Sequence, residues 1–300
     1  MTRLEVWAPD GVPEVTAGDD LAAIVLAALR GGADLADGDV VCVTSKVVSK
    51  AEGRTLAGDR AAAIEEESQR VVARRGATLI VRHRLGLTMA AAGVDASNVA
   101  AGSVVLLPLD PDASARDLRR TVLERAGVNV GVVVTDTAGR AWREGQTDIA
   151  IGAAGLVVAE DFAGRTDSHG NTLAVTLPAV ADELAGAAEL VQGKLARRPV
   201  AVVRGRSDLV LPPGEDGPGA ASLVRPEGGD LFGWGAREAV VRALGGDAAD
   251  RAPFGSPVPA PELAAALARL PDGADRTAVA AVCFAHGWRL EEWLRTVDDA

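Results

Sequence analysis

Asp136 and Thr137 close an apolar run, Val130 to Val134 with Gly131 among them, inside the stretch VTDTAGRAWREGQTDIAIG that covers residues 134–152. A carboxylate and a hydroxyl at the carboxyl end of a buried strand sit where α/β architectures expose functional groups, and both are hard oxygen donors suited to Mg2+ or Mn2+. An aspartate capping a turn before Gly139 is the structural alternative. A second polar group lies in GVDASN, where Asp95 and Asn98 add a carboxylate and an amide. A helix N-cap or an Asx-turn produces the same pattern. A third group lies in VTSKVVSKAEGR (residues 43–54), where Ser45 follows an apolar strand and Lys46 and Lys50, four apart, share one face if the segment is helical. Two cations and a hydroxyl at a strand end can hold a triphosphate; the same spacing also serves a solvated basic face.

Other chemistries lack their residues. There is no G-x-x-x-x-G-K-[ST] loop: Gly193-Lys194 has no upstream glycine at the right offset, and no G-x-G-x-x-G follows a strand. H-E-x-x-H and EF-hand patterns are absent, and His83, His169 and His286 are scattered, which disfavours a histidine-rich metal site. Cys42 and Cys283, without a C-x-x-C, make neither a disulfide framework nor a thiolate zinc site.

The elements that must position the oxygen donors alternate between apolar β-runs and amphipathic helical runs, the pattern of a mixed α and β domain. DDLAAIVLAALRGG reads as a helix from an Asp19/Asp20 cap to Gly31-Gly32, and residues 39–44 as a strand. Residues 61–76 read as a helix ending at glycine, 78–83 and 103–108 as strands, 114–127 as a helix and 129–136 as the next strand. NTLAVTLPAV reads as a strand, VADELAGAAELVQGK as a helix and RPVAVVRG as a strand. The Pro-, Gly- and Asp-rich segment 206–229 reads as a mobile loop or linker. Beyond a second Pro-rich stretch, 253–261, a tail of about 40 to 50 residues holds two short helical runs, marginal for folding alone and expected to pack on the main body or on a partner.

A chain of 300 residues with 48% hydrophobic content can bury a sizeable core, and its apolar runs are far shorter than the ~20 residues that span a bilayer. No signal peptide is visible, and the cytoplasm is the expected compartment. The net charge of −11 excludes a basic footprint for nucleic acid. It leaves room for a small polyanion when a divalent cation helps.

With these stretches together, the sequence resembles the GTP-dependent γ-glutamyl ligases that add L-glutamate to the deazaflavin coenzyme precursor F420-0. The likeness runs over residues ~4 to 244, through GDVVCVTSKVVSKAEGR, HRLGLTMAAAGVDASNVA, GVVVTDTAGRAWREGQTDIAIGAAGL, VADELAGAAELVQGK and PVAVVRG. It is nearest to the N-terminal ligase part of the actinobacterial two-domain enzyme. What the resemblance implies is an α+β, mixed-sheet ligase fold over residues 1–245, an intertwined homodimer, and a short helical extension over 246–300 in place of the flavin-binding nitroreductase-like domain. Carried over by position, the divalent-cation ligands fall on Asp95, Asp136 and Thr137. The GTP contacts fall on Val12, Pro13, Glu14, Val15, Ser45, Lys50 and Asn98, with Lys50 and Asp136 in catalytic roles. The cations implied are Mg2+ or Mn2+, two per site, and K+. Trp142 is expected to pack rather than to stack on a base, while Arg140, Arg143 and Glu144 either contact substrate or pair with one another. The rival expectation is a deazaflavin-binding oxidoreductase or a non-catalytic cofactor binder, which would use the same pocket with no need for GTP or metal.

Overall fold

The computed structural model describes residues 3–30, 34–97, 100 and 102–298. In chain order its elements begin with β1 (Glu5–Trp7), α1 (Leu21–Leu29), β2 (Val40–Thr44), α2 (Ser45–Ala51), β3 (Thr55–Ala57) and α3 (Arg60–Glu67). They continue with β4 (Ser68–Arg75), β5 (Thr78–His83), β6 (Thr88–Ala90), β7 (Ser103–Val105), α4 (Pro111–Ala126), β8 (Gly131–Gly139) and β9 (Gln146–Ala154). The last are α5 (Val180–Gln192), β10 (Val200–Arg204), α6 (Ala236–Gly245), α7 (Ala260–Leu267), α8 (Arg276–Ala285) and α9 (Leu290–Asp298). The chain divides into two compact units, Met1–Glu67 with Gly93–Val224, and Ser68–Ala92 with Arg225–Ala300.

The first unit is built on a five-stranded sheet in the order β1-β10-β2-β8-β9. Only β2 and β8 pair in parallel; the other neighbours are antiparallel, so the architecture is α+β with a mixed sheet, as the sequence implies. The near-continuous valine runs of β2, β8 and β10 are buried, as central strands covered on both faces require. On one face Cys42, Val133, Ala153 and Ala201 pack with Val180, Leu184 and Ala188 of α5. On the other face α4 approaches so closely that a Cβ on Gly152 would stand 2.4 Å from the Pro111 backbone. Helix α4 starts at an Asp110 cap and stops at Gly127, whose φ of +70° suits glycine.

Several local expectations are overturned by tertiary pairing. The helix expected over 61–76 ends at Glu67, and Ser68–Arg75 is instead a strand paired antiparallel with Thr78–His83 across a turn at Gly76. The β-branched pair Val71-Val72 and a ready partner strand outweigh the helical propensity of the arginines and alanines. NTLAVTLPAV forms no strand: Thr172 bridges Thr166, Leu173 and Thr176 share backbone hydrogen bonds with residues 162–165, and Val175 is exposed, so the segment pairs locally and joins no sheet. Residues 103–108 pair only as far as Val105. The glycine stop expected for α1 at residues 31 and 32 lies outside the described residues, while the Asp20 cap is present, accepting from the Ala23 amide.

The segment 206–224 is irregular, yet it is held. Buried Arg119 donates to the carbonyls of Leu211, Pro212 and Glu215 and pairs with Asp216 at 3.1 Å, while Asp112 accepts from the amides of Ala220 and Ala221. The mobile linker expected there is therefore corrected. Its backbone groups have found partners, which low-complexity composition alone does not exclude.

The second unit combines the sheet β4-β5-β6 with helices α6 to α9. Arg70 and Arg82 each reach Glu227 at 2.8 Å, and Arg70 also lies 4.4 Å over the Trp234 ring. Val72, Val81 and Met89 of its sheet and Leu263, Cys283 and Phe284 of its helices are buried. The tail is helical as expected, and it clusters with a β-hairpin that precedes it by some hundred and fifty residues.

Candidate functional site

Strand β8 does not end at Asp136 and Thr137; it runs to Gly139 and returns through a hairpin as β9. The tight polar loop is thus only the tip, residues 140–145. Trp142, with φ of +67°, sits there 84% exposed, so the packing role expected for it is not met within the chain. Asp136 pairs in register with Ile149, and Thr137 with Asp148. The strand continues through this pair, so Asp136 does not cap a turn before Gly139.

Alternation along β8 separates the two donors. Thr135 and Thr137, two residues apart, both donate to Asp148, at 3.2 and 2.7 Å. Asp136 therefore points to the opposite face, where the Ser45 hydroxyl donates to its Oδ1 at 2.9 Å. Ser45 arrives there because β2 lies parallel to β8 and hands the chain straight into α2, with Thr44 beside Thr135.

Helix α2 places its lysines against carboxylates rather than in solvent. Lys46 reaches Asp95 at 2.5 Å and donates to the Ser97 hydroxyl at 2.9 Å. Lys50, its side chain 11% exposed, is paired with Glu14. The expected nucleotide contacts Glu14 and Lys50 are thereby brought together, and Val15 is buried close by in sequence while Val12 and Pro13 are less covered. Asn98 lies outside the described residues.

The Asp95 loop is an Asx-turn: Oδ1 accepts from the Ser97 amide at 2.7 Å and Oδ2 from its hydroxyl at 2.8 Å. Burial alone would raise the Asp95 carboxyl, but the Lys46 ammonium and the two Ser97 donors hold it below its ordinary range. Asp136 moves the other way. Burial, with the charges of Asp148 and Asp95, pushes its carboxyl up to about 6 against the counteracting Ser45 hydrogen bond. Each of these three carboxylates is at a different strand or loop, and the field of the other two is felt at Asp136.

The residues fit a divalent cation in a particular way. All donors are hard oxygens, and Asp136 has no ion-pair partner among the described residues, so a cation would relieve its charge. Among the described residues no group of three or more His, Cys, Asp or Glu is gathered tightly enough to hold a metal alone. That is the profile of an ion held by one or two carboxylates and completed by waters and substrate phosphates, as Mg2+ commonly is.

Two residues join the site that were not singled out from the sequence for it. Asp148, 3% exposed, was visible only as one charge in the polar loop; its place opposite Thr137 follows from the hairpin. Lys194 donates to the Thr137 hydroxyl and lies 3.1 Å from Glu189. The Gly193-Lys194 pair that fails as a phosphate loop thus delivers its lysine to the site.

Residues 11–66 and 58–205 match the profile of the F420-0:gamma-glutamyl ligase family. The chain is 42% identical over 224 residues to the coenzyme F420:L-glutamate ligase of Archaeoglobus fulgidus, covering 68% of this chain and 88% of that protein. It is equally 42% identical to the enzymes of the same name from Halobacterium salinarum, over 218 residues (64% and 82% of the two chains), and Natronomonas pharaonis, over 217 (64% and 81%). The matched span contains every side chain of the site described above, and the chain belongs to the F420-0:gamma-glutamyl ligase family.

Proposed function

We propose that the protein is a GTP-dependent ligase that joins L-glutamate to the lactyl carboxylate of F420-0, and adds further γ-linked glutamates, releasing GDP and phosphate. The observation that carries this reading is the convergence of Asp136, Thr137 and Asp148 on one hairpin with Ser45, Lys46 and Lys194 around it. The reading needs no nucleophilic side chain. The arrangement suits a reaction whose needs are positioning and charge stabilisation.

In the first step a substrate carboxylate oxygen bonds to the γ-phosphorus of GTP and the β,γ-bridging bond breaks, giving an acyl phosphate and GDP. In the second the glutamate amine attacks the acyl carbon, loses a proton and expels phosphate, leaving an amide. Asp95, Asp136 and Thr137 would hold Mg2+ or Mn2+, which supplies charge neutralisation for phosphate oxygens. Lys50, nearly enclosed and braced by Glu14, contributes a fixed positive charge for the nucleotide, which Val12, Pro13, Glu14, Val15, Ser45 and Asn98 also contact. K+ is kept as a further cation of the reaction.

The catalytic part is assigned to residues 1–245 and a short helical extension to 246–300. A homodimer is part of the reading, supported by the large apolar side chains that the first unit leaves exposed, Trp142, Val175, Leu190 and Leu195. The compartment is the cytoplasm, in keeping with two free, buried cysteines. No helix among the described residues is long and apolar enough to cross a membrane.

The decisive experiment incubates the purified protein with F420-0, L-glutamate, GTP and Mn2+ and follows the product by mass spectrometry. The expected result is a product heavier by one or more glutamyl residues, with GDP formed in step. Tight deazaflavin binding without GTP turnover would replace this reading by the oxidoreductase or cofactor-binder alternative.

A further inference from the structure

Within the second unit, α6, α8 and the start of α9 border an open cleft of about 680 Å3. Small-molecule sites occupy roughly 300–1,000 Å3. The floor of the cleft comes from α8, which starts at an Asp275 cap that accepts from the Ala278 amide at 2.8 Å. Thr277, Ala280, Ala281 and Phe284 recur along it at spacings of three and four, so they share one face of the helix. Three of the four are small, which leaves the space open. Trp288 supplies an aromatic wall: its indole N–H donates to the Val258 carbonyl at 2.8 Å and its ring stands edge-on to Trp293 at 6.0 Å, so the ring is fixed in place.

Three guanidinium groups line this cleft, those of Arg251, Arg276 and Arg289, against the one carboxylate of Glu291. The acids that precede it in sequence are engaged elsewhere, Asp250 with Arg242 at 3.0 Å and Asp247 with the Ala249 amide. Arg276 comes only to 3.7 Å of Glu291, and the two side chains are 72% and 71% exposed. Such a pair holds its partners weakly in water, so the Arg276 guanidinium is open to a better acceptor. Arg251 is more constrained: an η-nitrogen donates to the Gly287 carbonyl at 3.2 Å, the guanidinium lies 4.7 Å over the Phe284 ring, and Nε is buried with no hydrogen-bond partner. An unpaired buried N–H carries a desolvation cost, and an oxyanion is the acceptor that the planar guanidinium fork matches. In a chain of net charge −11, three arginines beside an aromatic wall are a local reversal of sign.

We propose that this cleft is a binding site for a small aromatic anion, a planar ring lying on the α8 floor beside Trp288 and carrying a carboxylate or phosphate that Arg251, Arg276 and Arg289 hold. The apolar floor and the indole take the ring, and the guanidinium groups take the charge. The site is independent of the ligase reading, since none of its side chains takes part in that chemistry. It gives the helical extension a ligand of its own.

The test measures binding by isothermal titration calorimetry on the full-length protein. The probes are 1-naphthyl phosphate and 1-naphthoate, with 1-naphthalenemethanol as their uncharged counterpart. One saturable site per chain is expected for at least one of the anions, with the alcohol weaker by about 10-fold or more. The tighter anion identifies the oxyanion as phosphate or carboxylate. Arg276 and Arg289 are exposed, so the double variant Arg276→Gln/Arg289→Gln keeps the fold, as circular dichroism checks, and should weaken the anion by about 10-fold or more while leaving the alcohol unchanged. Ala280→Leu fills the floor with every charge kept and should weaken anion and alcohol alike. Lys50→Ala, in the first unit, should change neither. Absence of saturable anion binding, an alcohol bound as tightly as the anions, or an unchanged anion affinity in either cleft variant overturns the proposal. So does a loss of binding confined to Lys50→Ala, which would move the anion to the nucleotide region.

Discussion

Asp136 is the residue on which charge, burial and proposed chemistry meet. Its carboxyl titrates at about 6 in the folded chain against 3.8 in the unfolded one, so the fold binds that proton more tightly than the unfolded chain does. Stability of the metal-free protein should then be undiminished below about pH 4, fall as pH rises from there through 6, and carry the full cost above. Two units correspond to at most about 3 kcal/mol, and partial solvent contact reduces this to about 1–2 kcal/mol. Asp136→Asn should therefore melt higher than the natural protein at pH 7.5 without metal, by on the order of 5 °C, and should lose at least about 100-fold in turnover. Differential scanning calorimetry at pH 5 and 7.5 reads the first effect and the glutamyl-transfer assay the second; equal melting at both pH values would remove the buried-charge account. Lys50 gives a contrasting prediction. Lys50→Ala should raise the KM for GTP by about 10-fold or more while changing that for glutamate little, a loss of roughly 1.5–3 kcal/mol of charge-assisted binding. An unchanged nucleotide KM would return Lys50 to a purely structural pairing with Glu14.

Elements matter because each site residue depends on a neighbouring strand or helix end for its direction. Ser45 meets Asp136 through the parallel pairing of β2 with β8, and Asp148 meets Thr137 through the β8-β9 hairpin. Arg119 secures the other side of this sheet: its guanidinium donates to four backbone carbonyls, those of Val130, Leu211, Pro212 and Glu215, and to the side chains of Asn129 and Asp216. Arg119→Met keeps much of the volume but removes the guanidinium from all of these acceptors, of which Leu211 and Pro212 keep one donor each, Asn129 Nδ2 and the Glu215 amide. The expected cost is about 3–5 kcal/mol, read by urea denaturation, with the segment 206–224 becoming the first site of limited proteolysis. A variant as stable as the natural protein, with that segment equally resistant, would show that its order does not depend on Arg119. The elements that sequence patterns missed are those defined by partners. Residues 68–75 carry helix-compatible side chains yet pair with 78–83, whereas residues 171–180 alternate like a strand but pair only locally, with 160–166, and join no sheet.

At the scale of the whole molecule, apolar surface and net charge point in opposite directions. A charge of −11 keeps chains apart, yet the first unit leaves Leu195 95% exposed along with Trp142, Val175 and Leu190. Buried in a partner, side chains of this size each contribute about 1.5–3 kcal/mol. Light scattering should find two chains per particle, and Leu195→Asp or Trp142→Asp should raise the dimer dissociation constant by about 10-fold or more. A monomer at micromolar concentration in the natural protein would sink the dimer and leave the site geometry within one chain untouched.

The sequence by itself determined which residues could do chemistry and the family they belong to. Oxygen donors and lysines stand next to apolar runs whose burial is dictated by composition and period alone, and ordered matches over most of the chain identify the ligase family. Strand β8, helix α4 and helix α5 follow from the same local signals, because caps, glycine stops and valine runs act within a few residues. Only the tertiary structure decided which face each donor occupies and which cation stands beside it. That β8 continues past Thr137, that Asp148 returns opposite it, and that Lys194 rather than a glycine-rich loop reaches the hydroxyl are consequences of strand pairing and helix packing between residues 11 to 57 positions apart. Side chains a strand apart share a face or not according to register, and register is set by the partner strand.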